Sequence, residues 1–241
     1  MVKSVGIIGF GRFGQLASKQ LKNHFDVFVN DVENKQKIAE DIGVKFTDLR
    51  NCATKNVILL CVPISDFKDV LKLIIPYLKN SIVADVCSVK EKPVSIMKKL
   101  VPKDCECIGM HPLFGPDSVK NGLKNKKIVL CPIRTKKLVE IKKFLKKIGL
   151  KIIISTPREH DRQMAKSLGL IHLLGRSLNK IGIDKLEMTT PTHEMFIELV
   201  NIVKNDSEQL FFDMQRYNRY SNNIRKELIK ELVKIDGELN G

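Results

Sequence analysis

The chain has 241 residues, 43% of them hydrophobic, which is enough for a sizeable core and close to the length at which one core gives way to two domains. Its longest apolar run, residues 57–64, is too short to span a bilayer, and the N-terminus passes straight into a strand-like segment with no secretory signal, so we expect a soluble cytoplasmic protein with no membrane partner. The net charge of +15 comes mostly from lysines that are spread out and not interleaved with aromatics, which predicts solvated helix faces and some steering of anionic substrates, not nucleic-acid binding.

Residues 5–8, Val-Gly-Ile-Ile, form an apolar run short enough for a buried parallel strand. Gly9, Gly11 and Gly14 then spell G-x-G-x-x-G ahead of an amphipathic helix over residues 12–22. In such a turn the first glycine permits the bend, the second lets the backbone approach a pyrophosphate, and the third lets the helix pack on the strand. The helix N-terminus adds unpaired N–H groups and a partial positive charge. Gly9, Phe10, Gly11, Arg12, Phe13 and Gly14 are therefore cofactor-binding candidates. A second strand, Asp26–Asn30, ends at Asp31, 22 residues after Gly9, where a carboxylate accepts hydrogen bonds from an adenosine ribose. Asp31 followed by Glu33 would repel a 2′-phosphate, so NAD is expected over NADP.

Further along, the spacing predicts a helix over residues 35–42 ending at Gly43, a short strand over 44–46, and a buried strand over 56–62 stopped by Pro63. A helix capped by Ser65 should run to about Leu78, followed by strands over 82–86 and 106–110 and a loop over 111–116. A strand over 128–131, a helix with Leu138, Ile141, Phe144, Leu145 and Ile148 on one face and lysines on the other, and a strand over 152–154 complete the alternation. Strands separated by helices mean a mostly parallel sheet with right-handed crossovers, an α/β domain of Rossmann type over residues 1–155. The six cysteines contain no C-x-x-C pair and lie mostly in apolar runs, so reduced core thiols and no metal are expected.

The pattern changes at Thr156-Pro157-Arg158-Glu159, where a good N-cap, a first-turn proline and a capping-box glutamate coincide. Beyond it no convincing strand is found. A long helix over 161–181 ends at Gly182, Thr190-Pro191 opens another that runs to about Lys204, and a third covers 206–239. This all-helical domain, residues 156–241, is too small for a large core of its own, and its apolar faces predict a homodimer.

In an open parallel sheet, ligands bind beyond the carboxyl ends of the strands. That rule selects residues 9–14, Asp31, Cys61-Val62-Pro63, the segment 85–90 and the segment 111–116. The first two hold a dinucleotide, and Cys61, Val62 and Pro63 pass near its nicotinamide half. The last two bring Ser88 and His111 to one crevice. Read singly, a His-Pro pair is a turn, Ser88 is a helix cap, His172 is a core histidine, His160-Asp161 marks a helix start, and His24 and His193 are surface residues.

Together these segments resemble the prephenate and arogenate dehydrogenases. Asp85-Val86-Cys87-Ser88-Val89-Lys90-Glu91 is similar to their D-x-x-S-x-K-E segment. His111-Pro112-Leu113-Phe114-Gly115-Pro116 is similar to their H-P-M-F-G-P motif, with Leu113 in place of methionine. Glu159-His160-Asp161-Arg162, then His172 and Gly175-Arg176, resembles their E-H-D-R…H…G-R helix, and residues 206–218 resemble their D-S…Y-N segment. The likeness covers nearly the whole chain and is nearest to the short plant arogenate type. It implies nicotinamide-dependent oxidative decarboxylation of a cyclohexadienol on the route to tyrosine, with His111 accepting the hydroxyl hydrogen bond and Ser88 orienting hydroxyl and nicotinamide. His172 would help bind substrate. Bacterial members commonly use an arginine of the helical domain for the substrate carboxylate. None occurs here between Ser177 and Gln215, so Arg176, Lys204, Arg216, Arg219 or a residue of a partner chain is left for that role. Asp206 could pair with the ammonium that distinguishes arogenate from prephenate, or serve only as a helix N-terminal carboxylate. Two other readings are a dehydrogenase of the β-hydroxyacid or imine reductase type and a non-catalytic dinucleotide sensor.

Overall fold

The computed structural model describes residues 2–119, 122–183 and 186–240. They form two compact units, Met1–His160 and Asp161–Gly241.

In the first unit, short apolar segments alternate with amphipathic ones and fold accordingly. β1 (Ser4–Ile8) leads through α1 (Arg12–Leu21) to β2 (Asp26–Asn30), and α2 (Gln36–Ile42) leads to the two-residue β3 (Lys45–Phe46). α3 (Leu49–Ala53) and β4 (Val57–Leu60) follow, then α4 (Phe67–Ile74), β5 (Ile82–Asp85), α5 (Glu91–Leu100) and β6 (Glu106–Pro112). β7 (Lys127–Arg134), α6 (Leu138–Lys147) and β8 (Lys151–Ile154) complete it. The eight strands make one sheet in the order β3-β2-β1-β4-β5-β6-β7-β8, parallel throughout except for the antiparallel β6–β7 pair. Val5, Ile7, Ile8, Ile58, Leu59 and Leu60 are buried, as central strands covered on both faces require. Strand order reverses between β1 and β4, and that switch point opens a crevice beyond the carboxyl ends of the strands.

Several expectations are corrected. His111 and Pro112 belong to β6 and not to a loop, because β7 returns antiparallel and pairs His111 with Val129 and Pro112 with Ile128. Ser65 does not cap the next helix, which starts at Phe67 with Asp66 at the cap position. Ser88 is not a cap either, since α5 begins at Glu91. The short α3, capped by the Asp48 carboxylate on the Asn51 N–H, was not visible in the periodicity.

The second unit contains only helices among its described residues. α7 (Pro157–Met164) straddles the division between the units, and the Thr156 hydroxyl accepts the Glu159 N–H at its start, as expected. α7 passes through a π-helical turn, Ala165–Gly169, into α8 (Leu170–Lys180). Such a turn leaves carbonyls without their usual helical donors. The Gln215 side-chain amide donates to the Gly169 carbonyl at 2.8 Å. α9 (Pro191–Lys204) is capped by Thr190 as the sequence indicated. The expected single helix over 206–239 is two, α10 (Glu208–Tyr217), capped by Ser207, and α11 (Ser221–Leu239). Asn218 makes the corner, donating to the Asp161 carbonyl at 2.7 Å and accepting the Tyr220 N–H at 3.0 Å.

Candidate active site

The turn between β1 and α1 is built by close backbone approach. Gly9 has φ +94°, and a Cβ there would lie 2.4 Å from the Cys61 carbonyl oxygen. A Cβ on Gly14 would lie 2.1 Å from the Gly9 carbonyl oxygen. At Gly11, by contrast, a Cβ would meet nothing within 4 Å, and no side chain caps the helix that begins there. The first and third glycines thus let the chain pack on itself, and the second faces open space at an uncapped helix N-terminus, which suits a pyrophosphate. The Phe10 side chain is a correction: it is fully buried in the core, so only its backbone borders the turn. Arg12 reaches away to Asp117 at 2.7 Å. Phe13 is partly exposed, and Cys61 and Val62 follow β4 against Gly9, with Pro63 exposed.

Asp31 stands at the end of β2, accepting the Phe10 N–H at 2.6 Å, the Glu33 N–H at 3.0 Å and an ion pair from Lys35 at 3.1 Å. Burial alone pushes its carboxyl up, but the Glu33 N–H, Lys35 and the Phe10 N–H outweigh that and leave it below the usual range. The carboxylate is held charged and fixed at the carboxyl end of β2. These residues fit a dinucleotide.

Beyond β5 and β6 lies a second group. His111, in β6, is buried, and its Nδ1 is 2.8 Å from Nε2 of His160 in α7, also buried. Burial first, then His160 and Lys90, holds the His111 imidazole well below its ordinary range, so it is neutral at pH 7. One of the two facing nitrogens must carry the proton of that contact. When Nδ1 of His111 carries it and donates to His160, Nε2 of His111 is left as an acceptor. Ser88 is buried in the turn after β5, and its hydroxyl has no hydrogen-bond partner among the described residues. A buried hydroxyl is costly unless paired, so it is a candidate to bind a ligand group. Asp85 and Lys90 flank Ser88 and form a buried ion pair. Reading each residue singly missed His160, because its partner lies 49 residues away and only the E-H-D-R resemblance pointed to it.

In the helical unit, His172 Nε2 lies 3.5 Å from an Asp206 carboxylate oxygen. Burial first, then Arg176, lowers the His172 imidazole to about 4, so this ring is also neutral at pH 7. Arg176 donates to the carbonyls of Asp206 and Ser207 at 2.7 and 3.0 Å and lies 5.0 Å from the Phe211 ring centroid. The structure therefore brings His172, Arg176 and Asp206 together. Arg216 instead stacks on Phe212 at 4.6 Å, Arg219 turns to Tyr220, and Lys204 is exposed in the last turn of α9. No group of three or more metal-ligating side chains occurs among the described residues.

A glycine turn at the switch point of a parallel sheet, a carboxylate at the end of the second strand and a buried histidine at the end of the sixth define a dinucleotide-binding domain of the dehydrogenase kind. Residues 17–154 match the family model for the prephenate dehydrogenase nucleotide-binding domain, and the chain belongs to that family. Residues 177–241 match a TYRAAT1-like C-terminal domain. The chain is 30% identical over 228 residues to arogenate dehydrogenase 2, chloroplastic, of Arabidopsis thaliana, covering 89% of this chain and 63% of that one. It is 29% identical over 250 residues to a probable arogenate/prephenate dehydrogenase of Methanocaldococcus jannaschii, covering 96% of this chain and 56% of that one. It thus spans about three fifths of the length of these relatives. Among solved structures, prephenate dehydrogenase from A. aeolicus, in complex with hydroxyphenyl propionate and NAD+, superposes with a TM-score of 0.76 at 22% identity, over 99% of this chain and 93% of that one.

Proposed function

We propose that this chain catalyses the NAD-dependent oxidative decarboxylation of arogenate or prephenate. The observation that carries the reading is the buried His111–His160 pair, a neutral imidazole held at the end of β6, together with the unpaired Ser88 hydroxyl in the turn after the adjacent strand β5. The relatives named for these two substrates and the family membership support it.

NAD+, held by residues 9–14 and Asp31, supplies the hydride acceptor. The work left to the chain is to hold the substrate hydroxyl and manage its proton. His111, with Nδ1 donating to His160, offers Nε2 to the 4-hydroxyl. It takes the hydroxyl proton as the carbinol carbon is oxidised. Loss of CO2 then moves the electron pair of the breaking carbon–carbon bond into the ring and onto that oxygen, and His111 returns the proton to it. The proton is borrowed and given back, so no net acid or base is consumed. Ser88 hydrogen-bonds the same hydroxyl and fixes its direction, and orientation of this kind governs hydride transfer more than basicity does.

Asp206 supports arogenate over prephenate: its carboxylate, 3.5 Å from His172 Nε2, is a group suited to the ammonium that distinguishes arogenate. Asp31 and Glu33 support NAD over NADP. The apolar side chains exposed on α11, Ile229, Leu232, Val233, Ile235 and Leu239, support a homodimer through the helical unit. The six free thiols fit a reducing compartment, in this reading the cytoplasm.

His111→Asn tests the site. The variant should still bind NAD+ while turnover falls by about a thousandfold. Undiminished turnover would hand the chemistry to another group and favour the other dehydrogenase classes.

A further inference from the structure

Asp85 and Lys90 are both 0% exposed, and the Lys90 ammonium is paired with Asp85 Oδ1. A buried ion pair is seldom a net source of stability, because desolvating both charges offsets most of their attraction. Its place in the fold supplies another reason for it. Asp85 is the last residue of β5 and Lys90 immediately precedes α5. The pair closes the segment 85–90 into a loop, and Ser88 is in that loop. Asp85 Oδ1 also accepts the Cys87 N–H at 3.0 Å, which tightens the loop from inside. From the same ammonium a second bond runs to the Met110 carbonyl at 2.6 Å. Met110 immediately precedes His111 on β6. One buried cation therefore grips both the loop that carries Ser88 and the peptide that carries His111.

The neighbouring strand is shaped to admit the pair. Gly109 lies opposite Asp85 in the β5–β6 register. A Cβ there would come within 2.8 Å of Val94 Cγ2 and 3.2 Å of Asp85 Oδ2. A side chain at 109 would press on the carboxylate and on α5 at once.

We propose that Lys90, held by Asp85, is a positioning residue that sets Ser88 and His111 in register with one another. It touches no substrate and acts through the two backbone segments it joins. The inference rests on the reading of Ser88 and His111 as the catalytic pair.

The experiment compares wild type, Lys90→Met and the double variant Asp85→Asn/Lys90→Met. Turnover of neither arogenate nor prephenate by wild type would overturn the functional reading itself, before any variant is considered. With wild-type turnover established, Lys90→Met should lower kcat about tenfold or more while KM for NAD+ stays within about twofold, since the glycine turn is untouched. The double variant leaves no charge buried alone and should recover the thermal midpoint that Lys90→Met loses. Its kcat should remain low, because nothing then donates to the Met110 carbonyl. The pH profile adds a readout that a purely structural role would not move. Among the described residues, the charged and titratable groups that act on His111 are His160 and Lys90. Loss of the ammonium should therefore shift the acid limb of kcat to higher pH in both variants. Wild-type kcat in Lys90→Met, or recovery of kcat together with stability in the double variant, would overturn the proposal. Should Lys90→Met fail to fold, the double variant decides by the same criterion.

Discussion

The two units bury their polar groups in different company. In the sheet unit, His111, His160, Ser88, Asp85 and Lys90 lie among a large set of buried apolar side chains from every strand except the short β3 and the edge strand β8. In the helical unit, Ala165, Val200, Val203 and Met214 are the buried apolar side chains among the described residues, while Met188, Met195, Phe196, Ile202, Phe212 and the α11 stripe are exposed. Yet the helical unit also buries His172, Asp161, Asp213, Gln215 and Asn218. The sheet unit has core enough to fix its site alone. The helical unit is held by hydrogen bonds to backbone carbonyls, such as those from Gln215 and Asn218, around a thin core. The buried histidine and serine of the candidate site thus lie where apolar burial is plentiful, and the thin unit leaves apolar faces exposed.

The contrast can be broken most forcefully at α11. Replacing Ile229 and Val233 together by Asp places two charges one turn apart on its apolar stripe. Sedimentation equilibrium should show the dimer of wild type reduced to monomer, with an early thermal transition assigned to the helical unit. A wild-type monomer that is fully stable would mean the thin core suffices.

Acid should also weaken the helical unit. His172 titrates ordinarily near 6.5 and in the fold near 4. Between those values the unfolded chain holds a proton that the folded chain refuses, so protons favour unfolding. The contribution of His172 is intact above 6.5 and is lost as pH falls towards 4, a change of about 3 kcal/mol. Urea midpoints measured at pH 7 and 4.5 should converge in His172→Gln relative to wild type. Parallel losses in both proteins would contradict the assignment.

In the sheet unit a sharp steric test at the glycine turn is Gly14→Ala, whose Cβ has the Gly9 backbone oxygen at 2.1 Å. It should cost about 2 kcal/mol of stability and most of the affinity for NAD+, as read by denaturation and cofactor titration. Gly11→Ala, with open space around its Cβ, should fold like wild type. The smallest effect on catalysis is at His160. His160→Asn should lower kcat about tenfold without altering KM for NAD+, since His111 keeps its place but loses the acceptor that sets its tautomer.

How much of this was legible in the sequence follows the same division. Strand and helix order in the sheet unit could be read from short apolar runs and glycine punctuation, and the switch-point rule then placed Gly9, Asp31, Ser88 and His111 at one edge. The extension of β6 through His111 could not be read, because it depends on an antiparallel partner, β7, that supplies the pairing from 15 or more residues away. The pairing of His111 with His160 and the double grip of Lys90 are likewise contacts between distant segments, with no local pattern to announce them. In the helical unit the caps at Thr156 and Thr190 were legible because capping is local. The π-helical turn and the corner at Asn218 were not, since each is tied to a distant part of the unit, Gly169 by the Gln215 amide and Asn218 by the Asp161 carbonyl.

The most direct test of the account is a two-by-two assay. Purified protein is given arogenate or prephenate, each with NAD+ or NADP+, and the reduced nicotinamide is followed by absorbance. Turnover with NAD+, greatest with arogenate, is the predicted result. Silence in all four combinations from folded protein that still binds NAD+ would contradict it and leave a dinucleotide-binding crevice without this chemistry.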